Sequence, residues 1–450
     1  MFDTDVAHTT KDGPMLADSA TRRAYAFASL TMFLFFASWG IWWSFFQIWL
    51  TSPSVGLELN GQQVGTVYSV NGAVTMAFML IYGAAQDKLG LKRHLTIGIA
   101  VVMTLIGPFA TWVYLPLLRS RFMVGVVLGS VVLSAGFIGA VGLYEVFAER
   151  LSRRNGFEFG QARMWGSAGY ALVALIAGML FTINPAINFW IGSAFGLALL
   201  LMHLFWRLDD APETEASTTA SSPSMKDIAS VLTDRKAWGV IVFVLLSWTF
   251  YTVFDQQMFP DFYVSLFSSA TTGQRAYGIL NSVQVFCEAA MMGVVPLILR
   301  KVGARNTLLL GVCVMFVRIG CCGLLSGPVL ISVVKMLHAL EVPLFVLAMF
   351  KYLNLHFNSA LSATLYLVCF SLSSQLGAVI LSSPLGHLRD AIGYQHTFNL
   401  IAGIVVLAAV WAWIVLRPDS ASQNDVPADS TAEQTDLTDA VTHPVEKEQI

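Results

Sequence analysis

The chain has 450 residues, of which 56% are hydrophobic and only 12% are charged, and its formal net charge is −2. Soluble proteins are about 45–50% apolar and about 25% charged, so this composition excludes an ordinary soluble enzyme. The small net charge gives no reason to expect nucleic acid as a partner. Because a helix needs about 20 apolar residues to cross a bilayer, the sequence predicts an all-α integral membrane protein that lies in a lipid bilayer.

Apolar segments separated by polar breaks predict twelve transmembrane helices. They lie near 24–50, 63–85, 94–115, 122–148, 160–182, 186–206, 237–263, 276–299, 306–325, 329–351, 361–386 and 396–416. Residues 1–23 are polar and contain four acids, so we expect a cytoplasmic N-terminal tail and an uncleaved first span.

One polar break is much longer than the others and divides the spans six and six. Residues 207–236 are rich in Ser, Thr, Ala, Pro and acids, a composition typical of a flexible linker. The linker would separate an N-terminal six-helix bundle, 24–206, from a C-terminal six-helix bundle, 237–416. The acidic, Ser/Thr-rich residues 417–450 predict a disordered cytoplasmic tail.

The distribution of Lys and Arg predicts the orientation of the spans. With the N-terminus inside, 18 Lys and Arg residues fall in the cytoplasmic segments and only 4 fall outside. Cytoplasmic segments of membrane proteins carry such an excess of positive charge, so both termini are expected in the cytoplasm.

An internal similarity relates the two predicted bundles. The segment "GAAQDKLGLKR" (83–93) joins spans two and three, and "PLILRKVGARN" (296–306) joins spans eight and nine. Gly90 and Gly303 each precede a Lys or Arg by two residues. Repeats of this kind mark transporters whose halves move around a central site. Short cytoplasmic turns also favour Gly and Lys or Arg, so this alternative stays open.

Ionisable residues inside the spans are the most informative feature of the sequence. They are Glu145, Arg163, Asp255, Glu288, Arg318, Lys335, His338 and Glu341. A charge at the bilayer centre costs about 3 kcal/mol on insertion scales, so seven unpaired charges would cost roughly 20 kcal/mol. They must therefore face one another or a wet cavity. A purely structural network is the alternative, although apolar packing would satisfy the helices at lower cost.

The sum of these charges points to a proton. Four carboxylates accompany three cations, which leaves a charge of −1 when His338 is neutral. A carboxylate in apolar surroundings binds a proton more readily than one in water. We therefore hypothesise that the buried set binds one proton. Lys335, His338 and Glu341 follow one another at intervals of three, which predicts that they share one face of span ten. Pro343 would free the carbonyl of Ala339, as happens in helices that line a cavity.

Two residues of the first half suit a sugar. Glu145 and Arg163 together offer acceptors and a rigid fork of donors to vicinal hydroxyl groups. Tyr170 lies two turns beyond Arg163 and could place its ring on the apolar face of a sugar. The alternative is a salt bridge that locks two helices, with Tyr170 as packing.

Motifs of enzymatic chemistry are absent from the sequence. It contains no HExxH, no GxSxG and no phosphate-binding loop. All five cysteines lie in apolar segments without the spacing of a zinc site or a disulfide framework. The sequence therefore predicts no enzyme, no bound metal and no cofactor other than a co-transported proton.

Several motifs resemble known transporters. The segment 83–93 is similar to the loop signature of the major facilitator superfamily. The segments "RRNGFEFGQARMWG" (153–166), "FDQQ" (254–257) and "KMLHALEVP" (335–343) resemble the oligosaccharide:proton symporters, the family of the lactose and sucrose permeases. The resemblance covers about 22–416. It implies twelve helices in two pseudo-symmetric bundles, and cotransport of a proton with a disaccharide across a bacterial inner membrane.

The resemblance also implies roles for individual residues. Its substrate-binding set comprises Glu145, Arg163, Tyr170, Trp39, Gln256, Glu288 and His338. Its proton-coupling set comprises Glu341, Arg318, His338, Asp255 and Lys335. Its gating loop comprises Gly83, Asp87, Lys88, Gly90, Lys92 and Arg93. Glu341 matches the carboxylate that carries the proton, Arg318 the arginine that helps it deprotonate, and His338 the histidine that links sugar to proton.

Departures from the lactose carriers favour sucrose as the imported sugar. Val285 replaces a glutamate, and Glu288 appears one turn later on the same face. Thr252 and Ser374 together replace an Asp–Lys pair, as electrostatics requires, since losing one partner would leave a buried charge. Another oligosaccharide, namely raffinose, melibiose, maltose or lactose, stays possible, as does a sugar sensor that does not transport. A monomer is sufficient for either task.

Overall fold

The computed structural model describes residues 13–89, 93–206, 225–357 and 361–419, and the regular structure in these ranges is helical throughout. Eleven of the helices found there are long and apolar enough to cross a membrane. A twelfth span consists of His94–Thr104 and Ile106–Ser120, which are bent by 44° at their junction. The prediction of an all-α membrane protein with twelve spans is confirmed.

The first half of the molecule contains spans α1 to α6. Their helical segments are Gly13–Trp43 with Phe46–Thr51 (α1); Gly61–Leu89 (α2); Arg93–Thr104, Ile106–Phe109, Ala110–Tyr114 and Leu115–Ser120 (α3); Phe122–Leu133, Ser134–Ile138 and Val141–Asn155 (α4); Phe159–Ile183 (α5); and Pro185–Phe205 (α6). The segments 110–114 and 134–138 are π-helical turns within their spans.

The second half contains spans α7 to α12. Their helical segments are Arg235–Leu246, Trp248–Thr252, Val253–Met258 and Phe259–Ser265 (α7); Ala270–Val302 (α8); Ala304–Leu324 (α9); Pro328–Lys335 and His338–His356 (α10); Ser362–Leu365, Tyr366–Leu372 and Ser373–Ile392 (α11); and Tyr394–Val415 (α12). The segments 253–258 and 366–372 are π-helical.

The structure differs from the sequence expectation at the ends of the bundles. Helix α1 begins at Gly13, inside the predicted N-terminal tail, because the polar start of the helix escapes a search for apolar residues. The end of the predicted linker forms a helix, Met225–Thr233. Residues 1–12, 207–224 and 420–450, which carry most of the predicted tails and linker, lie outside the described ranges.

Span α10 is not the single helix that the spacing of Lys335, His338 and Glu341 suggested. The helix ends at Lys335 and restarts at His338, and Leu337 N–H bonds the carbonyl of Val334, three residues earlier. The break precedes Pro343, which lies inside the second helical segment and has no N–H group to bond the carbonyl of Ala339. The break leaves all three charged or titratable side chains in one cluster, as described below.

The two halves pack against each other at one end of the bundle. Twelve spans return the chain to the side on which it began, so the described part of the chain begins and ends at the same end, which we call the proximal end. At the opposite, distal end, α2 packs closely on α11, since a Cβ on Gly65 would lie 2.2 Å from the carbonyl oxygen of Ser382. The α5–α8 contact is also close, because a Cβ on Gly278 would lie 3.1 Å from the Cα of Gly178.

Candidate functional site

A carboxylate and a guanidinium from α4 and α5 form an ion pair in the first half. Arg163 Nε donates to Glu145 Oε1 at 2.7 Å, and the two side chains are 30% and 34% exposed. The Arg163 guanidinium also lies over the ring of Phe36, 4.3 Å from its centroid, and its Nη1 is 3.4 Å from Ser167 Oγ. One-third exposure leaves oxygen atoms and N–H groups available to a ligand, unlike a sealed structural pair.

Tyr170 of α5 lies near both α1 and α8. Its half-buried ring lies against α1, where a Cβ on Gly40 would be 2.7 Å from Cδ2 of the ring. Its hydroxyl group lies beside Asn281 of α8 and Ser44 of α1, within electrostatic range of the carboxylate of Asp255. Glycine at position 40 is therefore what allows the ring to approach the backbone of α1.

A second, more deeply buried cluster has Arg318 of α9 at its centre. Arg318 Nε donates to Glu341 Oε2 at 2.5 Å, and its Nη1 donates to Asp255 Oδ1 at 2.8 Å. Lys335 Nζ reaches the same Asp255 oxygen at 2.6 Å. The side chains of Arg318 and Glu341 are 0% exposed. Charges this deeply buried are stable only when they are paired and hydrogen-bonded, which both carboxylates achieve here.

His338 connects the buried cluster with a carboxylate on α8. Its Nδ1 is 3.3 Å from Asp255 Oδ1, and its Nε2 is 3.5 Å from Glu288 Oε2. Glu288 is 23% exposed and accepts a hydrogen bond from Gln284 Nε2 at 2.9 Å. An imidazole placed between two carboxylates can carry a proton, or pass an electrostatic signal, from Glu288, which is 23% exposed, to Asp255, which is 13% exposed.

The structure assigns the predicted excess negative charge to the second half. Glu145 and Arg163 neutralise each other, although both are more exposed than their position in the sequence suggested. Three carboxylates, Asp255, Glu288 and Glu341, then accompany the two cations Arg318 and Lys335, with His338 among them. With a neutral imidazole this group has a charge of −1, so one added proton makes it neutral.

Two further residues of the predicted substrate set, Trp39 and Gln256, have polar side-chain atoms without a partner among the contacts described. Trp39 is half-buried among the rings of Phe35, Phe36 and Trp43, and its Nε1 is buried without a hydrogen-bond partner. The side chain of Gln256 is exposed, and its backbone carbonyl accepts from the hydroxyl group of Tyr68 at 3.3 Å. Both residues thus offer polar atoms that the protein leaves unused.

The predicted gating loop falls largely outside the described part of the chain. Gly83 is described and has open space around its Cα. Gly90 and Lys92 lie outside the described residues, and so do the side chains of Asp87, Lys88 and Arg93. The gating role of this loop therefore stays a prediction.

Sequence reasoning missed two residues that organise the site. Tyr251 lies beside both Arg318, whose guanidinium is 5.3 Å from its ring centroid, and His338, whose Nδ1 is 3.3 Å from its hydroxyl oxygen. Gln284 holds Glu288. Tyr251 lies in an aromatic run that gives no polar contrast, but Gln284 precedes Glu288 by four residues, a helical spacing that could have indicated it.

Removing Asp255 should destabilise the protein more than removing Lys335. Asp255 faces Arg318, Lys335 and His338, so Asp255→Ala leaves buried positive charge unpaired, at a cost of about 3–5 kcal/mol. The Asp255→Ala/Lys335→Ala double variant should recover part of this loss. Thermal unfolding in detergent measures the effects, with Glu149→Ala at the exposed Arg153 pair as the control, expected below about 1 kcal/mol. Equal Tm values for the two single variants would contradict the assignment.

Comparison with known proteins places the chain among sugar transporters. It is 45% identical over 383 residues to the sucrose permease of Escherichia coli, covering 85% of this chain and 91% of that protein. It is 35% identical over 386 residues to the raffinose permease of Escherichia coli, covering 85% of this chain and 90% of that protein. The solved structure of the nucleoside transporter NupG superposes with a TM-score of 0.73 at 16% identity, over 88% of this chain and 99% of that one, which shows a shared fold.

The sequence profile of the LacY proton/sugar symporter family matches residues 18–426, nearly the whole of the described chain. The fold, the family match and the two permeases agree in describing a transporter rather than an enzyme. The chain belongs to the LacY proton/sugar symporter family.

Proposed function

We propose that this symporter imports sucrose together with a proton across the bacterial inner membrane, by alternating access, with both termini in the cytoplasm. The observation that carries the substrate is the 45% identity to a sucrose permease over 85% of the chain. The replacement of lactose-carrier charges by Val285, Thr252 and Ser374 supports the same choice. Twelve spans and the distribution of Lys and Arg support the orientation.

Sucrose binds between the halves in this proposal, at the exposed pair of the first half. Glu145 accepts hydrogen bonds from vicinal hydroxyl groups and Arg163 donates two, a geometry that suits the planar guanidinium. The ring of Tyr170 lies against the apolar face of one hexose. Trp39 packs against Phe36 on the same side as Arg163. Gln256, Glu288 and His338 belong to the second half, and the last two join the sugar to the buried cluster.

The proton binds to Glu341 in this proposal. A buried carboxylate bound to Arg318 is ionised, so the arrangement described above corresponds to the state after proton release. Protonation of Glu341 must loosen its contact with Arg318, whose Nη1 remains on Asp255. His338 transmits the change to Glu288, while Asp255 and Lys335 keep the remaining charges paired.

The same mechanism with raffinose, melibiose, maltose or lactose is the nearest alternative, and a sugar sensor is the more distant one. Purified protein in lipid vesicles preloaded with unlabelled sugar distinguishes them by the uptake of labelled sucrose. Exchange of sucrose, inhibited poorly by the other four sugars, supports the proposal. Exchange of another sugar alone would correct the substrate, and binding without exchange would favour the sensor.

A further inference from the structure

A carboxylate of the second half is bound to the first turn of a helix in the first half. Asp390, near the end of α11, accepts a hydrogen bond from Gly61 N–H at 2.9 Å through Oδ1 and from Gln62 N–H at 3.0 Å through Oδ2. This contact joins the halves at the distal end. The ion pairs of the two clusters, in contrast, each connect residues within one half.

The contact provides acceptors for N–H groups in the first turn of α2. Residues of the first half cap this turn only in part. Asn60 Oδ1 accepts from Gln63 N–H at 2.8 Å, and Gln63 Oε1 accepts from Asn60 N–H at 3.1 Å, which forms a local capping box. The N–H groups of Gly61 and Gln62 remain free until Asp390 binds them. A carboxylate at a helix N-terminus also interacts favourably with the helix dipole.

Neighbouring side chains of the second half hold Asp390 in position. Arg389 donates to Asp390 Oδ1 through Nε at 3.2 Å and through Nη2 at 2.8 Å, and its Nη1 donates to the hydroxyl group of Tyr394 at 3.2 Å. That hydroxyl group donates in turn to Asp261 of α7. Residues of three spans in the second half, α7, α11 and α12, thus hold the carboxylate in position independently of the first half.

The contact exists only while the two backbones touch. A Cβ on Gly61 would lie 2.3 Å from the carbonyl oxygen of Gly386 and 2.6 Å from Asp390 Oδ1. N–H···O hydrogen bonds span about 2.7–3.2 Å between donor and acceptor, so a small separation of α2 from α11 breaks both bonds at once. Water then replaces Asp390 on the N–H groups.

We propose that Asp390 is the latch of the outer gate, meaning that its two hydrogen bonds to α2 keep the distal end closed while the site faces the cytoplasm. Asp390 is thus a positioning residue, and it must release α2 before sugar enters from outside. The inference rests on the proposed function in one respect, since cytoplasmic termini make the distal end the outer one. Loss of the Asp390 contact shifts the carrier toward the state in which the site is open to the outside.

A disulfide across the gate measures the closed state directly. Thr66 Oγ and Ser383 Oγ, one in each half, are 3.4 Å apart, so Thr66→Cys with Ser383→Cys should cross-link when the gate is closed. The parent carries this pair with the five native cysteines replaced by Ser. Asp390→Asn removes the charge without changing the size, Asp390→Glu keeps the charge, and Glu58→Gln is the control, an exposed carboxylate at the same end.

Without sugar, the parent and Glu58→Gln should cross-link at the same rate, and Asp390→Asn about 10-fold more slowly, the change that 1.4 kcal/mol produces. Asp390→Glu should retain more cross-linking than Asp390→Asn, and unchanged Tm values separate gating from folding. Equal rates for parent and Asp390→Asn would overturn the proposal, as would a parent that does not cross-link. If the protein without these cysteine substitutions does not transport sucrose but the rates differ as expected, the proposed substrate fails and the latch stands.

Discussion

Glu341→Gln is expected to abolish the accumulation of sugar against a gradient while sugar exchange continues. One neutral sugar carried with one proton moves one charge, and about 2.3 kcal/mol per 100 mV supports roughly 50-fold accumulation per 100 mV. A glutamine resembles the protonated carboxyl group but has no proton to release, and it cannot form the ion pair that Arg318 makes with the ionised carboxylate. The accumulation ratio should therefore fall to about 1, because net transport requires proton release and exchange does not.

Uptake and exchange of labelled sucrose in the same membrane vesicles measure the two activities separately. Glu149→Gln is the matched control, since Glu149 lies one turn from Glu145 and pairs with the exposed Arg153. The control should accumulate sugar normally. Normal accumulation by Glu341→Gln would refute the role of Glu341, and loss of exchange as well would show that this carboxylate also serves the binding of sugar.

Glu145→Gln is expected to weaken sugar binding about 100-fold. Each hydrogen bond to a charged group contributes about 1.5–3 kcal/mol, and the replacement also releases Arg163 from its 2.7 Å contact, so the guanidinium loses its orientation. Arg163→Lys should weaken binding about 10-fold or more, because an ammonium group lacks the planar fork of donors.

Sugar binding by both variants is measured as the half-saturating sucrose concentration for exchange. Arg153→Lys tests the same change of side chain at an exposed position on α4. Its half-saturating concentration should stay within about twofold of the parent, since exposed pairs contribute little. If Glu145→Gln binds sucrose as tightly as the parent, this pair is structural and the sugar binds elsewhere.

The two predictions separate the two clusters of the site. The pair in the first half is about one-third exposed, and therefore suits a ligand that enters and leaves. Arg318 and Glu341 are fully buried, and therefore suit a proton, which needs no space. Glu288 and His338 lie between these extremes at 23% and 8% exposure, which suits residues that transmit the effect of one ligand to the other.

The bilayer explains why the sequence predicted so much of this site. Ionisable residues are costly in apolar spans, so eight of them were conspicuous without any structure. The net charge of −1 calculated for these eight residues also applies to the cluster in the second half, because the charges of Glu145 and Arg163 cancel each other. What the sequence could not predict was which carboxylate each cation contacts. Asp255 binds both Arg318 and Lys335 although these residues lie on different spans.

Local irregularity was the least predictable part of the fold. The break between Lys335 and His338 follows from no proline or glycine at that point, whereas Pro343 lies inside a helix. The approach of Tyr170 to Gly40 and the contact of Gly61 with Gly386 depend on packing between distant segments. Hydropathy identifies a span but says nothing about which glycine lies against which backbone. The contact of Asp390 with α2 could not be predicted from the sequence for the same reason.

The central claim, cotransport of sucrose and a proton, is tested most directly with a pH electrode in a weakly buffered, anaerobic suspension of expressing cells. Addition of sucrose should make the medium alkaline, and the change should disappear with an uncoupler and in the Glu341→Gln variant. A response to raffinose or lactose but not sucrose would preserve the mechanism and change the substrate. No response to any of these disaccharides or to raffinose, with the protein present in the membrane, would contradict the account.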